Sequence, residues 1–401
     1  MYKLPIGIQD FRKIRENGFK YVDKTRYIYE LASAPMSYFL SRPRRFGKSL
    51  TVSTLQELYS GSRELFEGLC IADRWDWTRR HPVVRLTLTG IGFPKVGLES
   101  ALHYALNKVF AAHGIPVVEN GSATQKFDYL LNALADRGEK VVVLIDEYDA
   151  PIVHYLGEDI DLARRNRDEL REFYTVLKNN DHVLELVFLT GVSKFSKVGI
   201  FSGLNNLQDI TMHPAYATML GYTQAELEVN FAEEIAQTAK YLKQTEEELL
   251  EQLRYWYNGY RFDERAETVY NPVSINNFFS FQKFQNYWFA TGTPTFLINL
   301  LKEQGVYDVS AQSVNPSGFD TFELDRLKLS AILYQTGYLT ITGSDAGGFL
   351  TLDYPNKEVR DSMLEHLLEA FVGVETEHGM ALVMQMQSAF ESGDLDRVFR
   401  L

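Results

Sequence analysis

The sequence predicts an α/β fold with a mostly parallel sheet flanked by helices, and three observations carry that expectation. Strand and helix patterns alternate through about residue 215, the order found where helices cover a parallel sheet. Val141 to Ile145 is an unbroken apolar run, as expected of a strand with no solvated face. A short apolar strand, a polar loop and a helix succeed one another between residues 36 and 60.

Taken in order, residues 36–41 read as the first strand. A helix over 49–60 follows, with Leu50, Val52, Leu55, Leu58 and Tyr59 at roughly helical spacing. Gly61 lies just beyond and supplies a residue that can end it. Residues 83–88 form the next strand, and helices over 97–113 and 122–137 separate it from the strand at 141–145. A charged helix over 161–179 leads into a strand at 183–190. Beyond residue 215 the character changes. Residues 223–257 are helix-rich and acidic, and 323–341 give a helix followed by a Tyr-Gln-Thr-Gly-Tyr-Leu-Thr-Ile segment. Residues 348–353 read as a strand pairing with that segment, and helix returns from about 357. Helix, hairpin and helix in that order suit a winged-helix-like unit over 321–370, preceded by a helical, lid-like region over 216–320.

Length and composition fit this reading. A chain of 401 residues is enough for two or three domains, and 45% hydrophobic with 23% charged residues is an ordinary globular balance. The net charge of −12 opposes autonomous binding to nucleic acid or anionic membranes. Cys70 is the one cysteine, which excludes a disulfide framework or a thiolate metal cluster. Met1 to Pro5 lacks the apolar run of a signal peptide, and no stretch approaches the ~20 apolar residues of a membrane span. The cytoplasm is the expected location. The eight histidines show no metal-ligand spacing.

The chemistry concentrates in two segments. Arg42-Pro43-Arg44-Arg45-Phe46-Gly47-Lys48-Ser49 lies between the first strand and its helix. A P-loop there wraps backbone N–H groups around phosphate oxygens at a helix N-terminus. Gly47 lets the backbone approach, Lys48 reaches the phosphates, and the Ser49 hydroxyl ligates Mg²⁺. Leu50 follows at the start of the helix. The general pattern opens on Gly, whereas this sequence has Arg42. The second segment is Val141 to Glu147, an apolar strand ending in Asp146 and Glu147. This is a Walker B arrangement, with Asp146 on the Mg²⁺ coordination sphere and Glu147 orienting an attacking water. Thr190 or Ser193, at the end of a third strand, is placed either to sense the γ-phosphate or simply to form a turn. Arg44 and Arg45 either contact phosphate or face solvent.

Together with further strings, these segments resemble the bacterial AAA-ATPase-like family. The strings are Leu4 to Gly7, Tyr21 to Thr25, Arg42 to Ser49, Asp146 to Pro151, Ser202 to Leu207, Trp256 to Phe262, Asn271 to Ser274 and Tyr354 to Arg360. The resemblance covers nearly the whole chain. It implies a P-loop, AAA-like core over 1–215 and ATP as the nucleotide, and it makes Arg42 a family trait. Similar members commonly carry a PD-(D/E)XK nuclease-like domain after the ATPase part. Residues 371–401, amphipathic from Leu382 to Leu401, are then expected to begin a linker to a domain missing here, so no nuclease activity is expected.

The expected function is that of a Mg²⁺-dependent ATPase, with Glu147 and Lys48 catalytic. The nucleotide would contact Arg44, Arg45, Phe46, Gly47, Lys48, Ser49, Leu50 and Thr190, and the metal Ser49 and Asp146. Arg164, Arg165, Arg167 and Arg171 include candidates for an arginine finger in a homo-oligomer or against a protein partner, although their acidic neighbours also fit a solvated face. Arg254 and Arg261 are alternative sensors. The competing readings are a nucleotide-dependent switch or scaffold with little turnover, and a nucleic-acid-associated module, against which the net charge stands.

Overall fold

The computed structural model describes residues 3–34, 36–194, 206–288, 295–316 and 328–372, together with Ser392. Five strands, Ser37–Ser41 (β1), Val83–Thr87 (β2), Val141–Asp146 (β3), Leu184–Gly191 (β4) and Leu207–Asp209 (β5), form one sheet in the order β2-β3-β4-β1-β5. Every pairing is parallel. Each residue of β1, β3 and β4 is buried, so helices cover both faces, as the apolar runs predict. The fold is α/β, with a parallel sheet flanked by helices.

Helices Leu98–Ala112, Ala123–Ala135 and Ile160–Asn179 pack together, while Lys48–Tyr59 contacts β2, β3 and β4 and two short N-terminal helices, Phe11–Glu16 and Thr25–Ser33. Those short helices are absent from the periodicity reading, because a six-residue helix is fixed by packing and caps rather than by its own pattern. Arg12 grips Glu57 through two hydrogen bonds of 3.1 and 2.7 Å, and Phe11 N donates to Ser53 Oγ at 2.9 Å. Both contacts anchor the N-terminal segment to the helix that follows the loop.

Register decides where the loop and the acids meet. Ser41 lies opposite Gly191, Ile145 opposite Leu189 and Thr87 opposite Asp146. The carboxyl ends of β1 and β3 therefore flank the end of β4, about 10 Å apart at two strand spacings. That edge is where open α/β sheets bind ligands.

The later part holds helices Gln224–Asn230, Ala232–Leu242, Glu246–Tyr257 and Pro272–Phe281, which have their own core of Leu227, Phe231, Leu249, Leu253, Ile275 and Phe278. Capping boxes at Thr223 and Thr245 start two of these helices. Helix Leu329–Thr336, strand Thr340–Ser344 (β7), strand Leu350–Asp353 (β8) and helix Lys357–Val372 then follow. Strand Gln312–Val314 (β6) adds to β8, giving an antiparallel sheet in the order β6-β8-β7. The expected amphipathic segment from Leu382 to Leu401 falls outside the described residues, apart from Ser392. Among the described residues, no helix is long and apolar enough to cross a membrane.

Gly259 marks a close crossing in this half. Its φ is +122°, and a Cβ there would stand 1.8 Å from the Pro355 carbonyl oxygen. Gly138 has a similar φ of +104° with open space around it. Gly259→Ala is expected to cost at least about 2 kcal/mol, and Gly138→Ala only about 1 kcal/mol. Denaturant unfolding of the two variants would separate steric contact from backbone strain. Equal losses would contradict the close crossing.

Candidate functional site

The loop from Arg42 to Gly47 is built by its side chains as much as by its backbone. Arg42 is buried, and its guanidinium donates to the carbonyls of Ser41, Thr211 and Tyr216. It also lies over the Phe262 ring, 4.1 Å from the centroid. Burial pulls its pKa down to about 10. The Phe46 ring is buried edge-on against Tyr260 and Phe262. Arg45, at φ 70°, donates to the Tyr287 carbonyl at 2.7 Å, and Trp288 Nε1 donates to the Arg44 carbonyl at 3.4 Å. Gly337 closes against Pro43, where a Cβ would meet the proline side chain at 2.7 Å. Apart from Ser41 and Thr211, these partners of the loop lie beyond residue 215.

Gly47 is left-handed at φ 101° and leads into helix Lys48–Tyr59. Lys48 is buried, and its Nζ donates to the carbonyls of Arg42 and Pro43 at 2.8 and 2.9 Å. Two of its three N–H donors are thus used on the loop itself. Burial lowers its pKa to about 8, opposed by the charges of Asp146, Glu147 and Asp149.

The acids stand across β4. Asp146 Oδ1 accepts a 2.7 Å hydrogen bond from Thr190 Oγ1. Glu147 adopts φ 54°, a left-handed conformation that costs a non-glycine residue about 1–2 kcal/mol. Asp149 is buried and accepts from the backbone N–H groups of Val192 and Ser193. Its burial raises its pKa to about 6, against the lowering effect of those donors. Together these contacts fix the turn after β3 to the end of β4.

A cavity of about 310 Å³ lies beside the loop. Its wall combines Arg44 to Thr51 and Glu147 with Pro5, Ile8, Tyr21, Val22, Met219, Leu220, Tyr222, Val273 and Asn276. Lys20 and Lys24 also line it, but their amines are engaged by Glu234 and Glu226 at 2.8 and 2.6 Å. The wall therefore combines Lys48, Ser49 and Glu147 with many apolar side chains.

The structure thus brings Arg44, Arg45, Phe46, Gly47, Lys48, Ser49, Leu50 and Glu147 onto one cavity. Thr190 is fully buried and spends its hydroxyl on Asp146, and neither residue lines the cavity. Arg164 pairs with Asp161 and Arg167 with Asp168, and none of the four arginines on that helix lines the cavity. Arg254 borders a different cavity, while Arg261 reaches the Thr342 carbonyl at 3.5 Å. Asp149, Tyr222 and Asn276 escaped the sequence reading. Asp149 stood in the quoted acidic string, but its role depends on contacts 43 and 44 residues away. Among the described residues, no group of three or more His, Cys, Asp or Glu side chains could hold a metal.

One buried acid connects the loop to the last described helix. Glu358 accepts from the backbone N–H groups of Tyr287 and Trp288 at 2.6 and 2.8 Å and from Ser274 Oγ at 2.7 Å. Arg45 binds the carbonyl of that same Tyr287. Desolvation raises the Glu358 pKa to about 7, outweighing these donors and Arg45. An acid with a raised folded pKa costs no stability below its unfolded value near 4.5, where both states are protonated. The cost grows as pH rises through the window up to about 7 and is complete above it.

The family model described as "Predicted AAA-ATPase" matches residues 5–201. The uncharacterized protein of the vnfD 5′ region of Azotobacter chroococcum mcd 1 is 42% identical over 373 residues, spanning 91% of this chain and 70% of that protein. Among solved structures, the Aeropyrum pernix ORC2 protein in its ADPNP–ADP complexes shares 13% identity, with 89% of this chain and 93% of that one covered at a TM-score of 0.36.

Glu358→Gln keeps an acceptor for the two backbone donors and removes the ionisation. Its stability relative to the unsubstituted protein is expected to rise by on the order of 3 kcal/mol between pH 4.5 and pH 8. Denaturant unfolding across that range measures the difference, and parallel pH profiles would contradict the buried, protonatable acid.

Proposed function

Taking as premise that this chain belongs to the AAA-ATPase-like family, we propose that it binds ATP in the cavity beside Lys48 and hydrolyses it. The observation that carries this reading is the meeting of Lys48, Ser49 and Glu147 on one cavity whose wall also holds many apolar side chains. Phosphate oxygens take the place of the Arg42 and Pro43 carbonyls as acceptors for Lys48, and the N-terminus of its helix favours their charge. An anionic ligand also raises the lowered pKa of this lysine and keeps it charged.

Ser49 and Asp146 fit Mg²⁺ by donor chemistry. A hydroxyl and a carboxylate are the hard oxygen ligands this cation takes, and these two residues would hold it. When bound, the metal neutralises charge on the β- and γ-phosphates. Thr190 holds the Asp146 carboxylate in place, which makes it a positioning residue. Glu147 receives the proton of the attacking water as its oxygen bonds to the γ-phosphorus and the bond to the β–γ bridging oxygen breaks. Its left-handed backbone supports that role, because strain of this kind persists where the surrounding structure fixes a functional geometry.

A second reading, a nucleotide switch with slow turnover, is favoured by the path from Arg45 through Tyr287 to Glu358. It uses the same binding site and differs in rate. In both readings the lid-like region expected over 216–320 covers the loop.

Lys48→Ala is expected to weaken ATP binding by about 100-fold or more. Glu147→Gln is expected to retain binding and lose phosphate release by about 100-fold. Calorimetric binding and single-turnover phosphate release test both roles, and unchanged turnover in both variants would reject them. Binding with background turnover in the unsubstituted protein would select the switch.

A further inference from the structure

Resting on the reading that Glu147 activates water, we infer that Asp149 positions Glu147 for that step, by pinning the turn after β3 to the end of β4. Asp149 is 2% exposed and does not line the cavity, whereas Glu147 does. Its route to the reaction therefore runs through Glu147. Asp149 Oδ2 accepts from Val192 N at 3.1 Å and from Ser193 N at 2.7 Å. One carboxylate oxygen thus ties the turn to two consecutive amides beyond the strand.

Further contacts show what that carboxylate holds. Tyr148 N donates to the Thr190 carbonyl at 2.9 Å, and Tyr148 Oη donates to the Ser193 carbonyl at 2.9 Å. Ala150 N closes the turn on the Glu147 carbonyl at 3.0 Å. The turn also lies directly against Gly191, where a Cβ would stand 2.6 Å from Asp149 Oδ1 and from the Tyr148 ring. Glu147, with its φ of 54°, is the strained residue within this clamp. On one side Asp146 is bonded by Thr190, and on the other Asp149 is bonded by Val192 and Ser193. A strained backbone persists only where its surroundings over-determine it. Without the Asp149 carboxylate one side of the clamp is released, and the Glu147 side chain leaves its place on the cavity wall.

The test measures ATP affinity and single-turnover phosphate release separately, in the full chain. Asp149→Ala is expected to slow phosphate release by about 10- to 100-fold while ATP affinity stays within about 2-fold. Asp149→Asn keeps an oxygen that can accept from both amides, and should recover most of the rate. Gly191→Ala displaces the same turn by contact and removes no polar group, so it should repeat the Asp149→Ala pattern. The Glu147→Gln background separates positioning from support of the fold. There neither Asp149→Ala nor Gly191→Ala should slow release further, because the group they misplace is already gone. Full additivity in that background overturns the inference. So does an unchanged rate in both variants, or a loss of affinity equal to the loss of rate. Should Asp149→Ala not fold, Gly191→Ala carries the same comparison. Undiminished turnover in Glu147→Gln alone overturns the inference together with the reading beneath it.

Discussion

A buried guanidinium sets the geometry on which the site depends. Among the described residues Arg42 pairs with no carboxylate; backbone carbonyls from three positions accept from its two terminal nitrogens and the face of Phe262 lies against its charge, while Nε is buried without a partner. A cation out of water is costly unless its donors are satisfied, so Ser41, Thr211, Tyr216 and Phe262 are held in one relative arrangement. Arg42 stands where β1 ends, and Lys48 folds back onto the Arg42 carbonyl. The loop, the end of the sheet and the later aromatic residues share a single anchor.

The rest of the loop extends that logic. A glycine-rich loop follows its ligand and little else, whereas this one spends Arg42, Pro43, Arg44, Arg45 and Phe46 on partners from residues 211–337. Phosphate binding at the loop would therefore act on Tyr287 and Trp288, whose N–H groups Glu358 holds. Ser274 joins helix Pro272–Phe281 to the same acid. The strings quoted from the later half of the sequence, Asn271 to Ser274 and Tyr354 to Arg360, supply parts of this path. Trp256 to Phe262 supplies the rings that seat Arg42 and Phe46.

The sheet was legible because its signals are local. β1, β3 and β4 announce themselves as apolar runs, and the acids after β3 and the Gly-Lys-Ser turn after β1 sit within a few residues of those runs. Arg42 was legible only as a departure from a pattern, since its partners lie 169 and 174 residues away. Glu358 read as a charge in a helical start, although its partners are 70 to 84 residues upstream. Sequence spacing shows what neighbours along the chain can do and is silent on what folding brings beside them.

The central claim, that phosphates replace the loop's own carbonyls around Lys48, is tested most directly by a crystal structure with Mg²⁺ and a non-hydrolysable ATP analogue. The account predicts the triphosphate in the cavity, with Lys48 Nζ moved from the Arg42 and Pro43 carbonyls onto phosphate oxygens and Arg42 unmoved. An empty cavity at saturating analogue, with Lys48 still on those carbonyls, would contradict it.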